Sequence, residues 1–451
     1  MIVKEKQFYF HVVKLVIPVA VQSLITTGIN LMDTVMLGSF GELQLSASAL
    51  ANQFVMLFQI FCMGVGCGAA VLTAQYWGSK ETGQLKQVMT LMYRIAVAAG
   101  FACMLFVMRS PERILSVYTK DSQVIMYGVK YMKILQFTLV FYAVSIVSTQ
   151  VLRSVKMMRI PMYSSCISFF LNIFFNYVFI FGKFGMPRME IQGAAVGTLV
   201  ARVFEMCFIV GYLLFVDKKI GYRIADLFCP CIAQFSKFFR YSLPVIVSDM
   251  LLGVGNNAVS VVMGHIGAGF VAANSVTNVT SHISTILVMG FSTAASSVVG
   301  NTLGEGNEKR AYEEGITFFF LAVLLGVFGC AVILLTSGPI LSIYTLEDET
   351  VRIARQLMDA IAVIVFFRCT SMILTKGVLR AGGDTRFLMV ADIIFLWCVS
   401  IPLGYMAGLV WHLDAFWIYF ALMGHTVLKS ILCVIRLFSK KWMHRIADGP
   451  A

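Results

Sequence analysis

Asp33 is an acid placed among residues that belong in hydrocarbon. It lies near the end of the run Ile17 to Gly38, IPVAVQSLITTGINLMDTVMLG, which also holds Pro18, Gln22 and Asn30. An ionised carboxylate in lipid costs on the order of a few kcal/mol or more, so it should face a cavity or partners. The competing reading is a carboxylate in water at the membrane edge. Asn172 and Asn176 stand in a second apolar run, and their i, i+4 spacing puts both amides on one helix face. Thr198 stands in a third. One carboxylate with amide and hydroxyl oxygens suits a hard monovalent cation, or a carboxyl group that takes up and releases a proton. Plain interhelical hydrogen bonding is the alternative for the Asn and Thr residues. In the second half, Asp249, Asp359 and Asp392 are the acids inside apolar runs. Asp249 and Asp359 are candidates for a second coupling or substrate site. Asp392 and the i, i+3 pair of Arg202 and Glu205 read as structural.

The elements that must hold these residues are set by composition. The 451 residues are 59% hydrophobic and 13% charged, with a mean hydropathy of +0.84. A soluble domain carries about 25% charged residues, so the solvent for most of this chain is lipid. The net charge of +12 comes from Lys and Arg in short loops between apolar runs, a topology signal rather than a nucleic-acid footprint. The N-terminus lacks the small-residue cleavage site of a signal peptide. Eleven Cys, among them the pair Cys229 and Cys231, and six His show no metal-ligand spacing; the Cys read as packing residues. Twelve apolar segments approach the ~20 residues a spanning helix needs: 14–36, 51–76, 88–108, 131–151, 162–182, 192–215, 241–263, 275–299, 316–336, 355–378, 387–408 and 415–437. The segments Ile114 to Thr119 (ILSVYT) and Ile340 to Thr345 (ILSIYT) read as short amphipathic surface helices.

These segments form two copies of one unit. Adding 226 to the numbering carries Pro18 onto Pro244, Asn52 onto Asn278 and ILSVYT onto ILSIYT without a gap. It also carries Gly38, Gly41, Gly64 and Gly78 onto Gly264, Gly267, Gly290 and Gly304. Shared hydrophobicity does not produce matched glycines, so the chain is a tandem duplication. The expected division is an N-terminal lobe over 1–215, a linker over 216–240 and a C-terminal lobe over 241–451. Each half has an even number of spans, so the copies share one orientation, as in transporters built from parallel repeats. Lys and Arg are more than twice as numerous on the side of both termini and the linker, which predicts that side to be cytoplasmic. On that topology Asn172 and Asn176 lie roughly 15 to 21 Å along the fifth span and Thr198 roughly 9 Å along the sixth. Both sets, with Asp33, fall in the outer half of the N-terminal lobe.

The pattern Pro18, Gln22, Asp33, Gly38 and then AQYWG (Ala74 to Gly78) resembles the first two helices of the multidrug and toxic compound extrusion (MATE) family. NIFFNYVFIFGKFGMPRMEIQGAAVG (Asn172 to Gly197) resembles its fifth and sixth helices, and VLRAGGDTR (Val378 to Arg386) its loop between helices ten and eleven. The resemblance implies an all-α integral membrane protein of two six-helix lobes, and alternating access driven by sodium or proton entry. It implies coupling through Asp33, Asn172, Asn176 and Thr198, where Asn176 replaces the Asp of some relatives and leaves one charge instead of two. Asp359 matches a helix-ten acid of some members. Their helix-seven acid falls three residues after Asp249, on Leu252.

The expected activity is cation-coupled (Na⁺ or H⁺) export of amphipathic organic cations from the cell membrane by a monomer, without a cofactor and without nucleic acid. Only Arg94 and Arg202 sit mid-helix in the N-lobe, so its interior should be net negative. No P-loop or catalytic constellation supports an enzyme. The alternatives are a lipid-linked oligosaccharide or precursor flippase of the same superfamily, whose members usually have fourteen spans and cationic cavities, and a channel or receptor.

Overall fold

The computed structural model describes residues 2–39, 41–341 and 348–446. Among these, regular structure is entirely helical. The first half contains α1 (Lys6–Gly38), α2 (Glu42–Gly78), α3 (Thr82–Arg109), α4 (Pro111–Ser116), α5 (Ser122–Ser154), α6 (Arg159–Phe181) and α7 (Ile191–Gly211). The second contains α8 (Ile232–Ile266), α9 (Ala268–Gly304), α10 (Glu308–Leu341), α11 (Asp348–Met372), α12 (Thr385–Ile393), α13 (Ile401–Tyr405), α14 (Ala415–Leu422) and α15 (Gly424–Phe438). Wide π turns extend α7 and α11 and join α12 to α13. Pro402 follows the Ile394–Ser400 turn. Its ring cannot donate to the preceding turn, and a widened helix is one way a chain accommodates that loss. Among the described residues eleven helices are long and apolar enough to cross a bilayer, and α14 with α15, bent by 48° and counted as one span, makes a twelfth. The protein is therefore an all-α integral membrane protein of twelve spans in two six-helix lobes. Several helices outrun the apolar segments that define them: the second span covers Glu42–Gly78 rather than 51–76, because polar turns continue a helix beyond its apolar stretch.

ILSVYT is helical only through Ser116, and its Ile114 and Leu115 are buried rather than laid on a surface. In ILSIYT, Ile340 and Leu341 close α10, and the rest lies outside the described residues.

The helices gather into two compact units. One comprises residues 2–20, Ala74–Lys80 and 247–446; the other comprises Val21–Thr73 and Glu81–Ile246. The dividing points in α1 and α8 follow Ala20 and Ile246, which are equivalent under the 226-residue offset and lie two residues beyond Pro18 and Pro244. Within the first unit the ends of α2 and α9 cross with no room for a side chain. A Cβ on Gly78 would strike the Asn301 carbonyl, and a Cβ on Gly304 would strike the Gln75 carbonyl. Gly78 and Gly304 are repeat mates, as are Gln75 and Asn301. The two close approaches therefore exchange repeat mates. Gln75 also fixes this end of α2: its amide donates to the carbonyls of Ala381 (2.9 Å) and His444 (3.2 Å), and its oxygen accepts from the Ile446 N–H (2.9 Å).

In the second unit α7 packs against both α5 and α6, and α3 packs against α5. The linker is tied to α3. Asp217 accepts three successive backbone N–H groups, from Lys219, Ile220 and Gly221. Asp226 pairs with Lys86 at 3.1 Å, and Arg94 donates to the carbonyls of Leu227 and Cys229. Tyr222 meets Thr90 at 2.9 Å, and burial pushes its hydroxyl up to about 12.

Candidate functional site

The turn between α6 and α7 sets the site. Gly182 ends α6 in the left-handed conformation (φ 66°), and its N–H bonds back to the Val178 carbonyl. Only glycine takes that backbone at little cost, which is why the helix stops here. The chain then returns along α6 as α7. Closest approach comes where Gly197 faces Asn176: a Cβ on Gly197 would overlap the Asn176 carboxamide. The missing side chain lets α7 press the Asn176 amide toward α1.

The four first-lobe candidates meet there. Asn176 Nδ2 donates to Asp33 Oδ1 at 2.6 Å and to Asn172 Oδ1 at 3.3 Å. Asn172 Nδ2 donates in turn to Thr198 Oγ1 at 3.5 Å. Asn172 and Asn176 are fully buried, and Asp33 is half-buried. Asn176 Oδ1 is buried with no hydrogen-bond partner, which makes it a spare acceptor beside a carboxylate. The Asn176 –NH₂ bridges two oxygens, a position that a small cation would also take. Turning that amide over would bring a third oxygen, Asn176 Oδ1, beside Asp33 Oδ1 and Asn172 Oδ1. The donor set therefore fits a monovalent cation, and it fits a protonated Asp33 donating to the turned Asn176 Oδ1 equally well.

One turn further along α7 is Arg202, whose Nη1 lies 2.7 Å from Glu205 Oε2, the ion pair expected from the spacing. Arg153 departs from its expected place in a loop. It belongs to the last turn of α5, and its Nη2 donates to Gln22 Oε1 at 2.6 Å. The unit thus turns two guanidinium groups inward, Arg153 and Arg202, against Asp33 and Glu205, so the expectation of a net negative interior does not hold for the unit as a whole. The charges are segregated instead: Glu205 carries Arg202, whereas the direct partner of Asp33 is a neutral amide.

In the other unit the acids are not brought to one point. Asp249 on α8 accepts both arms of Arg380, at 3.1 and 3.3 Å. Asp359 is exposed on α11 and, among the described residues, has no hydrogen-bond or ion-pair partner. Asp392 takes a hydrogen bond from Ser248 at 2.5 Å and an ion pair from Lys429. Asp384 is gripped by Arg436 at 2.6 and 3.1 Å. The sequence reading overlooked Arg368 and Lys429. Arg368 donates to Ser281 Oγ at 2.6 Å, and each cation stands inside an apolar span, which was the available signal.

Twelve spans, a two-fold repeat and a buried polar cluster inside one helical unit define a polytopic membrane transporter rather than an enzyme. The MatE family profile matches the chain twice, over residues 18–178 and 244–406, in register with the duplication, and the chain belongs to that family. It is 25% identical over 454 residues to "Multidrug resistance protein NorM" of Vibrio vulnificus (strain YJ016), covering 97% of this chain and 96% of that one. It is 23% identical over 440 residues to "Multidrug resistance protein MdtK" of Yersinia pseudotuberculosis serotype O:1b, covering 96% and 94%. Its fold matches that of a crystal structure of "MATE in the straight conformation" with a TM-score of 0.85 at 18% identity, over 96% of each chain. The protein is a multi-pass protein of the cell membrane.

Proposed function

We propose that this transporter exports amphipathic, mostly cationic drugs and toxins by alternating access, driven by entry of Na⁺ or H⁺ at Asp33. The observation that carries the reading is the hydrogen-bonded chain Asp33–Asn176–Asn172–Thr198 with a buried, unpartnered acceptor, Asn176 Oδ1, inside it. A carboxylate whose direct partner is a neutral amide keeps a local negative field in a water-poor setting, and that field attracts cations. An arriving ion cancels the field, and the Asn176 amide turns over so that its oxygen, rather than its –NH₂, faces the ion beside Asp33. Ion and organic cation then compete through charge, and one displaces the other. The names of the NorM and MdtK relatives support drugs as cargo. The Lys and Arg distribution supports cytoplasmic termini, which places Asp33 toward the outside, where the driving ion enters. Asp249 and Asp359 have no part in this coupling scheme, since the first is neutralised by Arg380.

The test is efflux from vesicles containing the purified protein, with sodium and pH gradients imposed separately. One of the two gradients should drive export. Monovalent organic cations should compete with one another, and anionic analogues of matched size should not. Equal transport of the anions, or export indifferent to both gradients, would remove the reading.

A further inference from the structure

Next to the Asp33 cluster lies a small cleft whose walls include Ser165, Ser168, Asn172, Thr198, Arg202 and Glu205. Its volume of about 30 Å³ exceeds the ~10–15 Å³ needed for a single water by roughly a factor of two. Two of its walls, Asn172 and Thr198, also belong to the Asp33 cluster. Ser168 is 4% exposed, and its Oγ has no hydrogen-bond partner. A buried hydroxyl left unsatisfied beside a cleft of this size points to an occupant. Glu205 is 8% exposed; its Oε2 is held by Arg202, while its Oε1 has only a long contact of 3.5 Å from Ser165 Oγ. Beyond Glu205 the polar chain continues. Ser165 Oγ accepts from Gln22 Nε2 at 2.8 Å, and Gln22 Oε1 accepts from Arg153. Polar side chains therefore run from Asp33, near the Gly38 end of α1, to Arg153, in the last turn of α5, interrupted only by the cleft.

We infer that the cleft is a second station for the coupling cation, in which Glu205 with the Ser165 and Ser168 hydroxyls receives the ion that leaves Asp33. Arg202 is the internal cation that holds the station when it is empty. Its guanidinium lies against Glu205 and over the Tyr142 ring, 5.1 Å from the ring centroid. An incoming Na⁺ takes over the Glu205 carboxylate and releases Arg202 toward Tyr142 and the vacated Asp33. If the coupling ion is a proton, it passes from the Asp33 carboxyl through cleft water to the Glu205 carboxylate. Asp33 is left ionised, Glu205 neutral, and Arg202 faces Asp33. In either case one positive charge moves inward by about two helical turns, the seven residues from Thr198 to Glu205, while Arg202 moves the opposite way, so the two carboxylates are never both uncompensated.

This inference rests on Asp33 being the coupling site, and the test separates the two. The double variant Arg202→Gln/Glu205→Gln replaces the ion pair with two amides that can still hydrogen-bond. It should be assayed in vesicles beside Glu205→Asp and Asp33→Asn, in two ways: gradient-driven export, and exchange of labelled for unlabelled organic cation without any ion gradient. The double variant should keep exchange and lose gradient-driven export by about tenfold or more, a barrier change of ~1.4 kcal/mol or more. Glu205→Asp should recover part of the loss. Normal gradient-driven export by the double variant would overturn the inference, and loss of both activities would do so too, by making the pair a structural clamp. If Asp33→Asn is also driven normally, the coupling site itself has failed. If Asp33→Asn is inactive while the double variant is driven normally, only the second station has failed.

Discussion

Replacing Asp33 by Asn removes a charge and almost nothing else. The side chains are nearly isosteric, and the new amide can turn its oxygen to accept the same Asn176 Nδ2 bond, 2.6 Å long in the unchanged protein. A hydrogen bond to a charged acceptor contributes ~1.5–3 kcal/mol and a neutral one ~0.5–1.5 kcal/mol, so the folded lobe loses about 1 kcal/mol. The thermal midpoint should fall by no more than about 4 °C for a domain of this size. The bound ion loses far more. At about 4 Å and an effective dielectric constant of about 20, attraction to one carboxylate is worth about 4 kcal/mol. That is close to a thousandfold in ion affinity, since each ~1.4 kcal/mol is tenfold. The variant should therefore melt like the unchanged protein within that margin, yet fail to export labelled organic cation against a gradient. The assay is purified Asp33→Asn in vesicles, with sodium and pH gradients in separate arms and a melting curve on the same preparation. Gradient-driven export within twofold of the unchanged protein would refute the reasoning and leave Asp33 a structural polar residue.

Gly197→Ala places a methyl group on the Asn176 carboxamide; forcing α6 and α7 apart should cost ~1–3 kcal/mol, seen as a lower melting temperature together with weaker coupling. Asp249→Asn leaves the buried Arg380 without its carboxylate and should destabilise by ~3–5 kcal/mol. Adding Arg380→Gln should restore most of the melting temperature, and a double variant no more stable than the single would show that the pair does not hold α8 to the segment following α11.

The class of the protein was written in its composition and in the 226-residue offset. A chain with 13% charged residues and twelve apolar runs has no other solvent than lipid, and matched glycines report a duplication because glycine marks backbone contacts that lipid solubility does not require. Spacing along one helix was equally legible. The i, i+4 pair Asn172 and Asn176 share a face and a hydrogen bond, and the i, i+3 pair Arg202 and Glu205 form their ion pair. These relations depend only on helical geometry, which the sequence carries locally.

What crosses between helices was decided by packing. Nothing near Asp33 in the chain announces that its partner is Asn176, 143 residues away, and that contact exists because Gly197 lets α7 close on α6. Arg153, at the end of an apolar run, reads as a loop cation, yet helix α5 runs one turn longer and a long side chain can reach back to Gln22. In the other unit Asp249 and Asp359 look alike as acids in apolar runs. Rotation about the helix axis gives one a bidentate arginine and leaves the other exposed. Sequence lists the charges within the spans, but pairing depends on the direction each side chain takes, and that is fixed only when the helices pack.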